Sequence, residues 1–220
     1  RFQKDINSKF NESTPVFTQD GKTMYFTRNN FLDGKRRSDE KRVTLLKLYK
    51  ATLVDGKWQN ITELPFNSDQ FSVAHPALST DEKTLYFASD MPGTFGQSDL
   101  FKVGINEDGT FGKPENLGPE INTEGRETFP YISGDNELFF ASDGRPGLGG
   151  LDIFVSKINS DLNFEEVQNV GEPINTKQDD FAFIIDKTGH FGYMSSNREG
   201  GKGDDDIYSF TKGDPVCNQT

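Results

Sequence analysis

The chain has 220 residues, among them 20 Phe, 22 Gly and 10 Pro. A formal net charge of −11 argues against a general affinity for nucleic acid or anionic lipid, because a phosphate backbone rewards Lys and Arg. No apolar run approaches the roughly 20 residues of a membrane helix, and the single cysteine, Cys217, cannot form an internal disulfide.

Short aromatic segments broken by Gly, Pro, Asp and Asn predict an all-β protein rich in turns. One phrase recurs four times: STPVFTQDGKTMYFTRN at 13–29, AHPALSTDEKTLYFASD at 74–90, TFPYISGDNELFFASD at 128–143 and DFAFIIDKTGHFGYMSSN at 180–197. Its anchors, Pro15, Pro76, Pro130 and Ala182, stand 61, 54 and 52 residues apart. A period of about 50 is that of propeller blades, with a β-sandwich as the competing reading. Each unit divides into short segments that predict a four-stranded antiparallel meander. Such a sheet buries both faces only by stacking on its neighbours.

In chain order, residues 1–9 read as the tail strand of a preceding blade, because Ile6-Asn7 matches the Ile121-Asn122 and Ile174-Asn175 that close later units. Residues 10–70 form a blade with an apolar strand after Pro15, a turn at Asp20-Gly21 and an aromatic strand through Met24-Tyr25-Phe26. A basic insertion, a turn at Asp55-Gly56 and a fourth strand from Trp58 to Leu64 complete it. The blade at 71–124 repeats this with Leu85-Tyr86-Phe87, Leu100-Phe101 and a fourth strand from Phe111 to Leu117. The blade at 125–177 does so with Leu138-Phe139-Phe140, Ile153-Phe154 and Phe164 to Val170. Residues 178–212 hold an incomplete blade that stops after Ile207-Tyr208, and 213–220 read as a linker to a following domain. The chain opens at Arg1 without a signal peptide, as a trimmed piece would. Either the N-terminal strand closes the ring or more blades lie upstream; a ring larger than four blades is the expectation.

Three glycine-rich loops align: Ser89-Asp90 to Asp99, Ser142-Asp143 to Asp152, and Ser196-Asn197 to Asp206. Each leads into a strand, whereas a phosphate loop leads into a helix. The expected role is a structural hairpin latch, in which glycines supply positive φ and the Asp accepts hydrogen bonds from loop N–H groups. Calcium is the alternative, with Asp204, Asp205 and Asp206 as candidate ligands, although the EF-hand pattern is absent. No other cofactor is implied.

The first blade departs from this pattern. Arg28 and Lys47 stand at the Ser and Asp positions, and the insertion between them carries Lys35, Arg36, Arg37, Lys41 and Arg42. It reads either as a solvated, mobile loop or as a docking loop for an acidic partner. With Phe71, His75, Arg126 and Phe181 in the segments entering first strands, these residues make the candidate partner-binding surface. The two histidines, His75 and His190, lie in different units without a matched nucleophile, and no GxSxG, HExxH or CxxC occurs, so no catalytic residue is assigned. Glu124, Glu127, Asp179 and Asp180 precede first strands and are expected to face the central channel, the default place for a propeller site.

The run SDGRPGLGGLDIF, with SDMPGTFGQSDLF and SSNREGGKGDDDIY, resembles the repeat of TolB-type, WD-like propellers over residues 10–211. KTMYFTRNN, HPALSTDEKTLYFASDMPG, ENLGPEINTEGRETFPYIS and GEPINTKQDDFAFI resemble more closely the propeller of OmpA-family, peptidoglycan-associated proteins of Bacteroidetes, one branch of which, PorE-type, belongs to the type IX secretion apparatus. The resemblance implies a non-catalytic interaction module of a periplasmic lipoprotein of the outer membrane. Its partners would be other cell-envelope proteins. Peptidoglycan would be held by a domain outside these residues, and nothing in them matches the diaminopimelate-binding motif. A carbohydrate-binding or carbohydrate-active propeller using the channel is the rival reading.

Overall fold

The computed structural model describes residues 6–213. Most of the expected linker at 213–220, with Cys217, and the first part of the expected tail strand at 1–9 lie outside the described residues. Within them the chain is all-β, without a helix that is long and apolar enough to cross a membrane.

Four antiparallel sheets follow one another as the blades of a β-propeller. Blade 1 comprises β1 (Glu12–Phe17), β2 (Thr23–Asn29), β5 (Leu46–Val54) and β6 (Lys57–Glu63), with a side hairpin of β3 (Phe31–Leu32) and β4 (Lys35–Arg36). Blade 2 holds β7 (Val73–Leu78), β8 (Thr84–Ser89), β9 (Asp99–Gly104) and β10 (Glu115–Asn116). Blade 3 holds β11 (Glu127–Ile132), β12 (Glu137–Ser142), β13 (Asp152–Lys157) and β14 (Gln168–Asn169). Among the described residues blade 4 has three strands, β15 (Asp180–Ile185), β16 (Phe191–Ser196) and β17 (Asp206–Thr211).

Turn chemistry sets these registers. Asp55-Gly56 joins Val54 to Lys57 with φ of 51° and 72°, the two positive values of a type I′ hairpin turn. Asp33-Gly34 does the same for β3 and β4, with φ of 51° and 78°. The basic insertion is therefore a hairpin on the side of blade 1.

Two details differ from the sequence reading. The first strands begin before the proline, which sits inside the strand. At Thr14, His75 and Phe129, each just before its proline, and at Ala182, φ is 46°, 57°, 50° and 52° and the register slips, so Phe183 and not Ala182 stands at the proline position of the fourth unit. These are β-bulges on edge strands, where a residue lacking N–H causes no loss of pairing. The fourth strands of blades 2 and 3 are also shorter than expected. Pro114 has no N–H to offer β9, and in blade 3 the Ser156 hydroxyl, donating at 2.7 Å, takes the Glu165 carbonyl.

Packing is between blades. Tyr25 and Leu48 meet Leu85, Phe87 and Phe101; Tyr86, Ala88 and Leu100 meet Leu138, Phe140 and Phe154; Phe139 and Ile153 meet Phe183, Met194 and Phe210. Consequently β8 and β12 are buried on both faces, whereas β16 alternates buried and exposed and β17 half-buried and exposed.

Candidate functional site

The glycine-rich loops, the basic hairpin and the segments entering first strands share one end of the propeller, since all three join strands at that end of each sheet. In blade 2, Asp99 Oδ2 accepts hydrogen bonds from Phe95 N–H (2.8 Å) and Asn116 Nδ2 (2.6 Å). Asp152 Oδ2 accepts from Leu148 N–H (2.8 Å) and Gly149 N–H (3.1 Å), and Asp206 Oδ2 accepts from Lys202 N–H (2.6 Å) and Gly203 N–H (3.0 Å).

At the other end of the loop, the Ser-Asp pair in blades 2 and 3 and Asn197 in blade 4 hold the start of the blade's own first strand. Ser89 Oγ donates to the Ser72 carbonyl at 2.6 Å, and Asp90 Oδ1 accepts from Ser72 N–H at 2.6 Å. Ser142 Oγ donates to Glu127 Oε1 (2.6 Å), while Asp143 accepts from Arg126 N–H (2.6 Å) and Nε (2.7 Å). Ser196 Oγ accepts from Arg198 N–H at 3.1 Å, and Asn197 Oδ1 accepts from Asp179 N–H at 2.8 Å.

The loop glycines act mainly by closeness, a correction to the expected positive φ. Gly93 and Gly200 do have φ of 105° and 91°. At Gly149, however, a Cβ would lie 2.2 Å from the Gln178 carbonyl oxygen, and at Gly96 it would lie 2.4 Å from the Glu124 carbonyl carbon. The loops of blades 2 and 3 thus lie flush on the linker that enters the next blade. Gln97 N–H donates to the Gly125 carbonyl (2.9 Å), and Asp180 N–H donates to the Leu151 carbonyl (2.7 Å).

A second set of contacts escaped the sequence reading. Asn122 Oδ1 accepts from Leu100 N–H (2.8 Å) while its Nδ2 donates to the Leu100 carbonyl (3.0 Å). Asn175 clamps Ile153 in the same way (2.8 and 2.8 Å), as Asn67 clamps Leu48 (3.0 and 2.7 Å). The recurrence of Ile-Asn was the available signal.

Of the four carboxylates expected in the channel, Glu127 and Asp180 close linker turns instead. Buried Glu127 accepts from Thr123 N–H (2.7 Å) and Oγ1 (2.6 Å), and buried Asp180 accepts from Thr176 N–H (2.5 Å) and Arg198 (2.7 Å). Asp179 accepts from Leu151 N–H at 2.8 Å, and Glu124 is exposed. Asp204 and Asp205 are exposed, and among the described residues no three His, Cys, Asp or Glu gather as a metal-holding group.

An axial cavity of about 450 Å³ is walled by the bulged first strands, with Pro15, Pro76, Pro130, His75 and Phe129 in its lining. The His75 ring stacks on Phe129 (centroids 3.8 Å apart), which lies against Phe181 (5.0 Å). Nδ1 of His75 is 2.7 Å from Thr128 Oγ1. Burial pushes this imidazole down to about 4, so it is neutral near pH 7.

Of the remaining candidates, Lys35, Arg36, Lys41 and Arg42 are exposed. Arg37 reaches Glu63 at 3.4 Å, Arg126 is half-exposed beside Asp143, and Phe71 packs against the core between blades 1 and 2. In blade 1 the buried cations Arg28 and Lys47 are register partners. Each carries its own counter-charge: Glu12 at 3.0 Å for Arg28, and Asp69 (2.7 Å) and Glu63 (3.1 Å) for Lys47. The hydrogen bond from Lys47 holds the Asp69 carboxyl below the usual carboxylate range.

No protein-family model matches the chain, and no curated protein matches it. Solved structures do. TolB from Acinetobacter baumannii aligns with a TM-score of 0.58 at 13% identity, over 94% of this chain and 42% of its own. An alpha-L-arabinofuranosidase from Lactobacillus brevis aligns with a TM-score of 0.55 at 14% identity, over 92% of this chain and 73% of its own. A puromycin hydrolase aligns with a TM-score of 0.51 at 17% identity, over 85% of this chain and 27% of its own. The chain thus spans less than half the length of the Acinetobacter TolB. At these identities the likeness carries the fold alone: the chain is a β-propeller of the kind found in TolB.

Proposed function

We propose that this chain is a non-catalytic protein-interaction scaffold of the bacterial cell envelope. In this reading it is the propeller module of a periplasmic, outer-membrane and peptidoglycan-associated protein that serves type IX secretion. Its glycine-loop residues, Ser89, Asp90, Asp99, Ser142, Asp143, Asp152, Ser196, Asn197 and Asp206, are structural clasps. The observation that carries the reading is the division of labour at the loop end. There the repeated acidic side chains are spent on backbone N–H groups, while the exposed cations Lys35, Arg36, Lys41 and Arg42 stand in the one segment that breaks the repeat. A rigid scaffold with one variant, charged projection suits recognition of an acidic protein surface.

Crosslinking in cells followed by affinity capture tests this. The intact propeller recovers envelope proteins, and Lys35→Glu with Arg36→Glu loses a subset of them. Recovery of the same set after deletion of the propeller would refute the reading.

The aromatic ledge of His75, Phe129 and Phe181 on the axial cavity favours one second reading, a carbohydrate-binding or carbohydrate-active propeller. Aromatic faces suit the apolar faces of sugar rings. A glycan panel decides: saturable binding lost in Phe129→Ala supports it, and no binding across the panel removes it.

A further inference from the structure

Four residues before Lys47, Asp99, Asp152 and Asp206 stand Val43, Phe95, Leu148 and Lys202, one equivalent position in the second-to-third-strand connection of each blade. The first three are apolar, and they stand out in solvent: Val43 is 50% exposed, Phe95 52% and Leu148 45%.

Their backbones are fixed. Phe95 N–H and Leu148 N–H donate to Asp99 and Asp152 at 2.8 Å, and Lys202 N–H donates to Asp206 at 2.6 Å. Val43 is held by a local substitute: its N–H donates to Asp39 Oδ1 at 2.7 Å, and its carbonyl accepts from Asp39 N–H at 2.9 Å. These clasps use main-chain groups of the position, and at Lys202 the clasp closes under a charged side chain. The fold therefore does not ask for an apolar residue there. One half-exposed Leu or Phe is ordinary on a protein surface. The same exposure at one position of three consecutive units calls for a use.

The three side chains also keep their places relative to one another, because loops and linkers interlock around this end. Leu46 N–H donates to Ser72 Oγ (3.3 Å) and Ser72 N–H to Asp90 Oδ1 (2.6 Å), which joins the insertion of blade 1 to the loop of blade 2. The Gly125 carbonyl accepts from Gln97 N–H at 2.9 Å, and a Cβ on Gly125 would lie 2.6 Å from Asp143 Oδ1, which joins the loops of blades 2 and 3. Apolar anchors held in place before binding lose little freedom on docking.

Charge selects the occupant. Val43 follows Lys41 and Arg42, and in its insertion exposed Lys35, Arg36, Lys41 and Arg42 outnumber exposed Asp33 and Glu40. Across blades 2 and 3 the same end carries exposed Asp90, Glu120 and Glu124, while Arg126 is paired with Asp143. An anionic membrane would have to lie on those acids as well as on the hairpin. A protein surface that is acidic at one side and apolar at the other fits both halves. Resting on the proposed role of the hairpin in binding an acidic protein, we infer that the partner's footprint runs from the hairpin across blades 2 and 3. Phe95 and Leu148 are its apolar anchors, and Val43 stands at the seam between the charged and apolar halves.

Photocrosslinking in the protein's own cells tests this, with benzoylphenylalanine placed singly at Phe95 or Leu148. Val54 and Leu162, exposed apolar residues at the opposite end, are the control positions. Positions 95 and 148 crosslink to one and the same protein, at residues outside its acidic stretches, and the controls do not. With that protein purified, Phe95→Ser and Leu148→Ser each weaken its binding to the 220-residue chain at least about tenfold, alike at low and physiological salt and without a change in melting temperature. Lys35→Glu with Arg36→Glu weakens it most at low salt. Binding lost on hairpin reversal but kept in both serine variants overturns the inference and leaves the proposed function standing. Binding kept in all three variants overturns both. Loss in the serine variants alone removes the acidic half of the footprint and the inference with it. The absence of crosslinks at 95 and 148, crosslinks there to a second copy of this chain, or binding to phosphatidylglycerol vesicles that is lost in Phe95→Ser would each overturn it as well.

Discussion

The imidazole of His75 lies flat on the ring of Phe129, centroids 3.8 Å apart and planes 12° from parallel, joining blade 2 to blade 3 at the axis. This contact suits a neutral ring, and burial holds the His75 pKa at about 4 against 6.5 for a free imidazole.

Stability should therefore depend on pH through His75. Between the two values the unfolded chain binds a proton that the folded chain refuses, so stability is complete above pH 6.5, falls as pH drops through that window and levels off below about 4. The depth is about 3 kcal/mol. In His75→Phe, which keeps a stacked ring, denaturant unfolding across the window loses that part of the slope. An unchanged difference between wild type and variant from pH 7 to pH 4.5 would contradict the assignment.

The glycines at the blade junctions should tolerate substitution according to distance and not loop membership. Gly149→Ala places a Cβ against the Gln178 carbonyl and destabilises by about 2 kcal/mol or more. Gly104→Ala meets nothing within 4 Å and leaves stability unchanged or raises it slightly. Chemical denaturation of the two variants separates these outcomes.

Removing an asparagine clamp should cost more than a surface hydrogen bond. Asn122→Ala or Asn175→Ala leaves a buried backbone N–H and carbonyl of the preceding blade without that partner, and a loss of about 2–4 kcal/mol is expected. Asn106→Ala, in an exposed turn where the side chain meets Thr110, serves as the contrast with a loss below about 1 kcal/mol.

Charge reversal on the basic hairpin should separate binding from folding. Lys35→Glu with Arg36→Glu, both exposed and with Thr44 as the side-chain partner of Arg36, shifts the melting temperature little, while affinity for an acidic partner falls and its salt dependence weakens. Binding titrations at low and physiological ionic strength check this. A salt-independent loss would point to misfolding of the hairpin.

Much of this architecture was written locally. Asp55-Gly56 and Asp33-Gly34 fix hairpins because both turn positions need positive φ, and Leu-Tyr-Phe or Leu-Phe-Phe marks strands buried on two faces. Functions that join distant segments were not legible. The clamp from Asn122 to Leu100 and the seat of Gly149 on Gln178 depend on where the chain returns. The bulges were hidden for the opposite reason. A residue before proline favours extended backbone, and only the packing at the axis forces His75 and Phe129 to positive φ. For the candidate surface, charge was readable in Lys35 and Arg36, but the inward packing of Phe71 was not.

The asparagine clamps also give the molecule a direction. The third strands of blades 1, 2 and 3 are each stapled by a side chain from the entry of the blade that follows, and among the described residues β17 receives no such staple. Unzipping in the 220-residue chain should thus start at blade 4 and travel backwards, with the slowest amide exchange in β8 and β12, so that the two ends of one architecture differ in how readily they fray.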